Sequence, residues 1–138
     1  DLAICAWFAA QVLKLLLQLA VERRSDLRSI LKSGGMPSSH SSFVCALAVS
    51  VGILYGWQSP YFALAAGLAA VVMYDACNVR WSTGEQAKAL NLLLEDLDRL
   101  PAELEGKRMK EALGHTPFQV LMGAVLGAAI GSLALVLR

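Results

Sequence analysis

Four long apolar stretches limit what this chain can fold into. They cover residues 2–19, 42–57, 61–77 and 117–137. A helix needs roughly 20 residues to cross a bilayer, so the first and last stretches qualify, and the middle two qualify once their polar ends are counted. The chain is 57% hydrophobic, which is too apolar for an ordinary soluble domain. We therefore predict an all-α membrane bundle with about four transmembrane helices, built as a single domain over residues 1–138.

A soluble bundle of buried helices is the alternative. We favour the membrane because residues 120–137 show no polar face. We expect no cleavable signal peptide, since no basic leader precedes the first apolar stretch. The cysteines lie inside apolar stretches, where a free thiol behaves as a small hydrophobic group, and we assign no redox or metal role to Cys5, Cys45 and Cys77.

The polar segment before the second stretch, residues 34–42, reads GGMPSSHSS. Pro37 cannot lie inside a helix and Ser38 or Ser39 is a good N-cap, so a helix should begin here with free backbone N–H groups. Such a helix end binds anions. His40 would lie in the first turn, beside any phosphate held there, with a pKa suited to proton transfer. A plain cap on a transmembrane helix is the alternative interpretation.

Four spans would place the polar residues near the membrane boundaries on one face. The opposite face would carry the short turn at residues 58–60 and the two termini. Asp75 is either a site carboxylate or an ion-pair partner of Arg80, and we favour the ion pair because a charge at the boundary needs a partner. The residues that share the first face are Lys14, Ser38, Ser39, His40, Asp75, Asn78, Arg80, Lys110, Glu111, His115 and Gln119.

The basic residues of the loops predict the orientation. Cationic loops stay in the cytoplasm, and acidic residues contribute little to this rule. We therefore expect a multi-pass protein of the cell membrane whose polar face is cytoplasmic. The formal net charge of +1 gives no reason to expect a nucleic-acid partner. The loop cations are Arg23, Arg24, Arg28, Lys32, Arg80, Lys88, Arg99, Lys107, Arg108 and Lys110.

Two further patterns predict helices with particular roles. Ser82 and Thr83, followed three residues later by glutamate and glutamine, form a capping-box pattern, and leucines then recur at helical spacing from Leu90 to Leu100. This predicts an amphipathic helix between the third and fourth spans, lying on the membrane surface or packed across the polar face. In the last span, glycines at positions 123, 127 and 131 repeat every four residues, which lets two membrane helices approach closely.

Five motifs together resemble one family. They are AQxxK at residues 10–14, SGGMPSSHS at 33–41, MYDA at 73–76, VR at 79–80 and LGHTP at 113–117. Their order and type are similar to those of the divergent PAP2 family, which is related to acid phosphatases and vanadium haloperoxidases. The resemblance covers nearly the whole chain.

The resemblance implies roles for individual residues. Pro37, Ser38, Ser39 and His40 match a motif that supplies phosphate contacts and a general-acid histidine. His115 matches the histidine that attacks phosphorus. A carboxylate is expected four residues later to orient that ring, and Gln119 stands there instead. An amide offers only a neutral hydrogen bond, so the chain is either an enzyme of reduced activity or an inactive relative.

The residue chemistry fits the same function. Phosphoryl transfer needs cations for the phosphate oxygens, a nucleophile and an acid for the leaving group. Lys14, Arg80 and Lys110 can supply the cations, His115 the nucleophile and His40 the acid. We therefore predict a membrane phosphatase acting on a phosphorylated lipid or prenyl chain, with no metal or cofactor. The alternatives are a catalytically silent lipid-phosphate-binding protein and a structural subunit. Four spans are fewer than the larger phosphatases use, so a homodimer could complete the site.

Overall fold

The computed structural model describes residues 2–22, 35–96 and 114–137, and throughout these residues the regular structure is helical, without strands. Within these described ranges the α-helices are α1 (Leu2–Glu22), α2 (Ser39–Tyr55), α3 (Pro60–Tyr74), α4 (Arg80–Asp96) and α5 (Pro117–Gly131). A π-helical turn, Asp75–Val79, connects α3 to α4, and a 3-10 turn, Ser132–Leu135, follows α5. The predicted all-α class is confirmed.

Three helical stretches in the described part of the chain are long and apolar enough to cross a membrane. They are Leu2–Ala20, Pro60–Leu94 and Pro117–Leu135. The fourth apolar helix, α2, is shorter, with 17 residues. Large apolar side chains cover the outside of the bundle, among them Leu64 at 74% and Val71 at 67% exposed. Such a surface suits lipid, and the fold is a helical membrane bundle.

Helix α2 occupies the centre of this bundle. It packs against α1, α3 and α5, and α1 also contacts α5. Its contact with α3 is built from small side chains, in which Val44 and Ala48 meet Ala65 and Ala69. Small residues let helix backbones approach closely, which drives helix association in lipid through packing.

The glycine row of α5 fits against a second row of small residues on α2. A β-carbon on Gly123 would collide with the carbonyl oxygen of Ser38, and one on Gly127 with that of Ser42. The Ser42 hydroxyl donates a hydrogen bond to the Gly123 carbonyl at 2.9 Å. The predicted close packing of the glycine seam is therefore confirmed, and α2 is its partner. The seam fixes the start of α2 against the start of α5.

The predicted start of the amphipathic helix at Ser82 or Thr83 is wrong. Helix runs without interruption from Pro60 through the π turn into α4, and the Thr83 hydroxyl donates to the Val79 carbonyl within that helix at 2.9 Å. No glycine or proline separates the third apolar stretch from α4, so the helix propagates instead of ending. Its 35 apolar-rich residues are about 52 Å long, which exceeds the ~30 Å hydrocarbon core.

Helix α4 exposes its leucines and buries its small face. Leu90 and Leu93 are 43% and 61% exposed, whereas Gly84, Ala87 and Asn91 are buried. The remaining leucines of the predicted row, at positions 97 and 100, lie outside the described residues. A membrane-surface position for the leucine face stays a prediction.

Candidate functional site

Ser38 begins helix α2 and is its N-cap. Its hydroxyl oxygen accepts the Ser41 backbone N–H at 3.4 Å and the Ser41 hydroxyl at 3.1 Å. The predicted helix start is confirmed. Ser38 is completely buried and Ser39 is 7% exposed. The Ser38 hydroxyl therefore has a capping role already, and a phosphate contact by Ser38 or Ser39 stays a prediction.

The structure brings the two histidines together. His40 lies in the first turn of α2 and is exposed, whereas His115 precedes α5 and is 3% exposed. Their ring centroids are 6.2 Å apart and the ring planes are inclined by 57°. At this separation a phosphate group that touches one ring is within reach of the other. We call these two residues the histidine pair.

The π turn holds His115 in place. The His115 backbone N–H donates to the Ala76 carbonyl inside the turn at 3.0 Å. A β-carbon on the preceding Gly114 would lie 2.6 Å from the Trp81 backbone nitrogen and 2.8 Å from the Ala76 carbonyl oxygen. Only glycine therefore fits this close approach. Turns of this kind often mark functional sites. Nothing in the sequence distinguished it from an ordinary α-helical turn.

The π turn also forms an ion pair at the site. Arg80 Nε lies 2.9 Å from Asp75 Oδ2. Residues five apart become neighbours in a π-helical turn, whose hydrogen bonds join residue i to i+5, and the Arg80 backbone N–H indeed bonds to the Asp75 carbonyl. The preferred ion-pair interpretation of Asp75 is confirmed. The guanidinium carries five N–H donors, and this ion pair uses its Nε–H.

Gln119 has a structural role that the sequence analysis missed. Thr116 and Gln119 form a capping box at the start of α5: the Thr116 backbone N–H donates to Gln119 Oε1 at 3.1 Å, and the Gln119 backbone N–H donates to the Thr116 hydroxyl at 3.3 Å. The T-x-x-Q pattern would have predicted this box. The same Gln119 Oε1 lies 3.4 Å from His115 Nδ1. The amide oxygen is therefore placed where an orienting carboxylate would act.

Lys14 reaches the site from α1. The buried face of that helix is formed by Ala3, Ala6, Ala10 and Lys14, which is itself 5% exposed. The alanines let α1 pack closely, and the lysine at the end of the row points the same way into the bundle. Its stem passes Gly35, where a β-carbon would lie 2.5 Å from Lys14 Cε.

Two cations act on the histidine pair. The positive charges of Lys14 and Arg80 reach both His40 and His115. Burial lowers the pKa of His115 below its usual value, the hydrogen bond to Gln119 opposes this effect, and the nearby positive charges lower the pKa further. The His115 ring is therefore neutral near pH 7, as a nitrogen nucleophile must be.

The remaining predicted cation, Lys110, lies outside the described residues. In the part of the chain that the structure describes, no group of three or more histidine, cysteine, aspartate or glutamate residues could hold a metal ion. The arrangement is instead suited to an oxyanion: it combines two imidazoles, an ammonium, a guanidinium and a helix N-terminus at one end of an apolar bundle.

Comparisons with known proteins agree with this architecture. The sequence profile of the Divergent PAP2 family matches residues 1–130. The Bacillus subtilis (strain 168) protein called "Uncharacterized membrane protein YuiD" is 38% identical over 135 residues, which cover 91% of this chain and 85% of the relative. No solved structure matches this chain.

Proposed function

Because the chain belongs to the divergent PAP2 family, we propose that it is a membrane phosphatase that removes phosphate from a phosphorylated lipid or prenyl chain. The observation that carries this proposal is the histidine pair. Its ring centroids are 6.2 Å apart, and the positive charges of Lys14 and Arg80 lie close enough to act on it. The family relationship suggests phosphatase-like chemistry, and the pair supplies a nucleophile and a proton donor for it.

The first step forms a phosphohistidine. With its Nδ1–H donated to Gln119 Oε1, His115 carries the lone pair on Nε2. Nε2 attacks phosphorus, the N–P bond forms, and the P–O bond to the lipid breaks. His40, held as an imidazolium by the negative charge of the bound phosphate, gives its proton to the leaving oxygen, so the lipid departs as an alcohol.

The second step returns the enzyme to its starting state. Neutral His40 takes a proton from a water molecule, and the water oxygen attacks phosphorus as the N–P bond breaks. Inorganic phosphate leaves and His115 regains its lone pair. In both steps the equatorial oxygens carry negative charge, which Lys14 and Arg80 stabilise together with the α2 N-terminus. The lipid tail stays among the acyl chains of the surrounding bilayer.

A catalytically silent lipid-phosphate-binding protein is the second candidate, and Gln119 is the observation that favours it. The developing His115 imidazolium finds only an uncharged acceptor in this amide, at 3.4 Å, and so gains no opposite charge beside it. The cations and the helix N-terminus bind phosphate without any chemical step, so binding does not depend on residue 119.

Phosphate release from purified protein distinguishes the two candidates. The full chain, reconstituted in lipid nanodiscs, is given phosphatidate, a prenyl phosphate and a prenyl diphosphate, and the same assay is run on His115→Ala and His40→Ala. The phosphatase proposal expects the unsubstituted protein to release phosphate and both variants to lose this activity. Phosphate binding without release from any of these lipids would instead support the silent candidate.

We also propose that the site faces the cytoplasm in the cell membrane, following the loop cations. In a variant with all three cysteines replaced, a single cysteine at Glu85 on α4 should resist an impermeant thiol reagent in intact cells. A cysteine at Gln58, in the exposed turn between α2 and α3, should be labelled. The reverse pattern would place the site on the outer face.

A further inference from the structure

Gly35 lies against the Lys14 side chain, five residues before His40 in the sequence. Its backbone has φ +90°, a conformation that side chains rarely adopt, and a β-carbon built there would lie 2.5 Å from Lys14 Cε and 3.5 Å from Nζ. Real β-carbons essentially never approach another atom so closely. Any side chain at position 35 would therefore displace the end of the lysine stem.

The position of this stem matters because Lys14 arrives from a different helix than the histidines. Lysine has a long flexible stem, and Lys14 is 5% exposed, so the atoms packed around the stem contribute to where its ammonium lies. The ammonium charge reaches both His40 and His115. A shift of the stem would move the charge away from the place where a phosphate oxygen must be held.

We propose that Gly35 is a positioning residue, whose missing side chain lets Lys14 direct its ammonium to the phosphate held by the histidine pair. This inference rests on the proposed function, since it assumes that Lys14 contacts the phosphate. The positioning role differs from a purely conformational one, in which a glycine would be needed at position 35 only because the backbone there has a positive φ.

Gly56 is a matched control for the conformational role. It has nearly the same backbone angle, φ +93°, but a β-carbon there would meet nothing within 4 Å. It lies at the opposite end of α2, where it is the C-cap of that helix. Gly56→Ala therefore places an alanine at nearly the same positive φ as Gly35→Ala, without the collision with Lys14.

The experiment measures binding of inorganic phosphate to the full chain in nanodiscs, by titration calorimetry, together with the thermal midpoint of each variant. The variants are Gly35→Ala, Gly56→Ala, Lys14→Met and the double variant Lys14→Met with Gly35→Ala. Lys14→Met should weaken binding about tenfold or more, as expected for one charge-assisted hydrogen bond. Gly35→Ala should weaken binding to a similar extent, whereas Gly56→Ala should leave the affinity unchanged.

The double variant tests whether Gly35 acts through Lys14. A methionine at position 14 has no charge to misplace, so adding Gly35→Ala to Lys14→Met should cause no further loss of affinity. If Gly35→Ala does not fold, the Lys14→Ala background, which removes the colliding atoms, should restore folding to the level of Gly56→Ala; failure to restore it would show that position 35 does not act through Lys14.

Two results would overturn the inference, and a third would overturn its premise. The positioning role fails if Gly35→Ala binds phosphate as tightly as Gly56→Ala, or if it weakens binding equally with and without Lys14. If Lys14→Met itself leaves phosphate binding unchanged, the assignment of Lys14 in the proposed function fails instead.

Discussion

Replacing Gln119 with glutamate should raise phosphatase activity. The Gln119 Oε1 atom accepts the Thr116 backbone N–H at 3.1 Å and lies 3.4 Å from His115 Nδ1. Glutamate has nearly the same shape, so it can keep both contacts and the capping box. A carboxylate at this position adds a negative charge that stabilises the imidazolium developing when His115 attacks phosphorus, and a neutral amide lacks that charge.

The expected gain follows from the strengths of the two hydrogen bonds. A neutral hydrogen bond contributes about 0.5–1.5 kcal/mol, and one to a charged group about 1.5–3 kcal/mol. The difference of about 1–1.5 kcal/mol corresponds to a roughly tenfold increase in kcat. Loss of an orienting carboxylate costs about 10⁴-fold in a serine protease triad, so a larger gain is consistent with the same role. A carboxylate in the first turn of α5 should also stabilise the helix by about 0.3–1 kcal/mol.

The pH dependence gives a second readout. Burial and nearby positive charges hold the pKa of His115 below its usual value. In a plot of kcat against pH, the fall on the acid side that reports protonation of His115 should therefore lie below about pH 6.5. Activity is lost there because a protonated ring has no lone pair for attack. A carboxylate favours the imidazolium, so in the Gln119→Glu variant this fall should move to higher pH.

The assay is phosphate release from lipid phosphates in nanodiscs between pH 4 and 8. Gln119→Leu is the control, because it removes both hydrogen bonds and should lower both kcat and thermal stability. His115→Ala should abolish turnover in either background. If Gln119→Glu is as inactive as the chain as given on every lipid tried, while both bind phosphate, the reasoning about His115 as a nucleophile is refuted.

Two predictions concern stability, measured as thermal midpoints in detergent. Gly127→Ala should destabilise the bundle, because its β-carbon meets the Ser42 carbonyl across the α2–α5 seam, whereas Gly67→Ala, with nothing within 4 Å, should stabilise α3 by up to about 1 kcal/mol. Equal effects at both glycines would contradict the role of the seam. Gln11 Oε1 is buried without a hydrogen-bond partner among the described residues, so Gln11→Met should stabilise the protein by about 1–3 kcal/mol. A loss of stability would show that this oxygen has a partner in solution.

Features that depend on local sequence were predictable. The proline and serines before α2 predicted its start, and Ser38 is indeed the N-cap. The four-residue glycine row predicted a close helix contact, because side-chain size limits how near two backbones can approach. The ion pair between Asp75 and Arg80 followed from the need of a boundary charge for a partner.

Features that depend on tertiary packing were not predictable in the same way. Helices α2, α3 and α5 are apolar on nearly every side, so hydrophobic periodicity could not show that α2 is the central helix. The capping-box pattern at Ser82 does not start a helix, because a helix already runs up to this point. Extending that helix adds a backbone hydrogen bond with each residue and avoids the cost of nucleating a new one. The Ala76 carbonyl of the π turn accepts a hydrogen bond from the His115 backbone N–H, which comes from a distant part of the chain.

Gln119 and Gly35 show how the site combines both kinds of information. The capping box of Thr116 and Gln119 can be predicted from four consecutive residues. The second contact of the Gln119 side chain, with His115 Nδ1, became evident only from the folded structure. Gly35 was recognisable as part of a polar motif, but its contact with Lys14 joins two segments that only the fold brings together.

The central claim is that His115 forms a covalent bond to the phosphorus of a lipid phosphate. It is tested most directly by mixing the reconstituted protein with a ³²P-labelled lipid phosphate and stopping the reaction in alkali, where phosphohistidine survives. We expect label on the peptide that contains His115 and none in the His115→Ala variant, with His40→Ala showing slower labelling. Phosphate release from the lipid without label on His115, or unchanged labelling in His115→Ala, would contradict the mechanism.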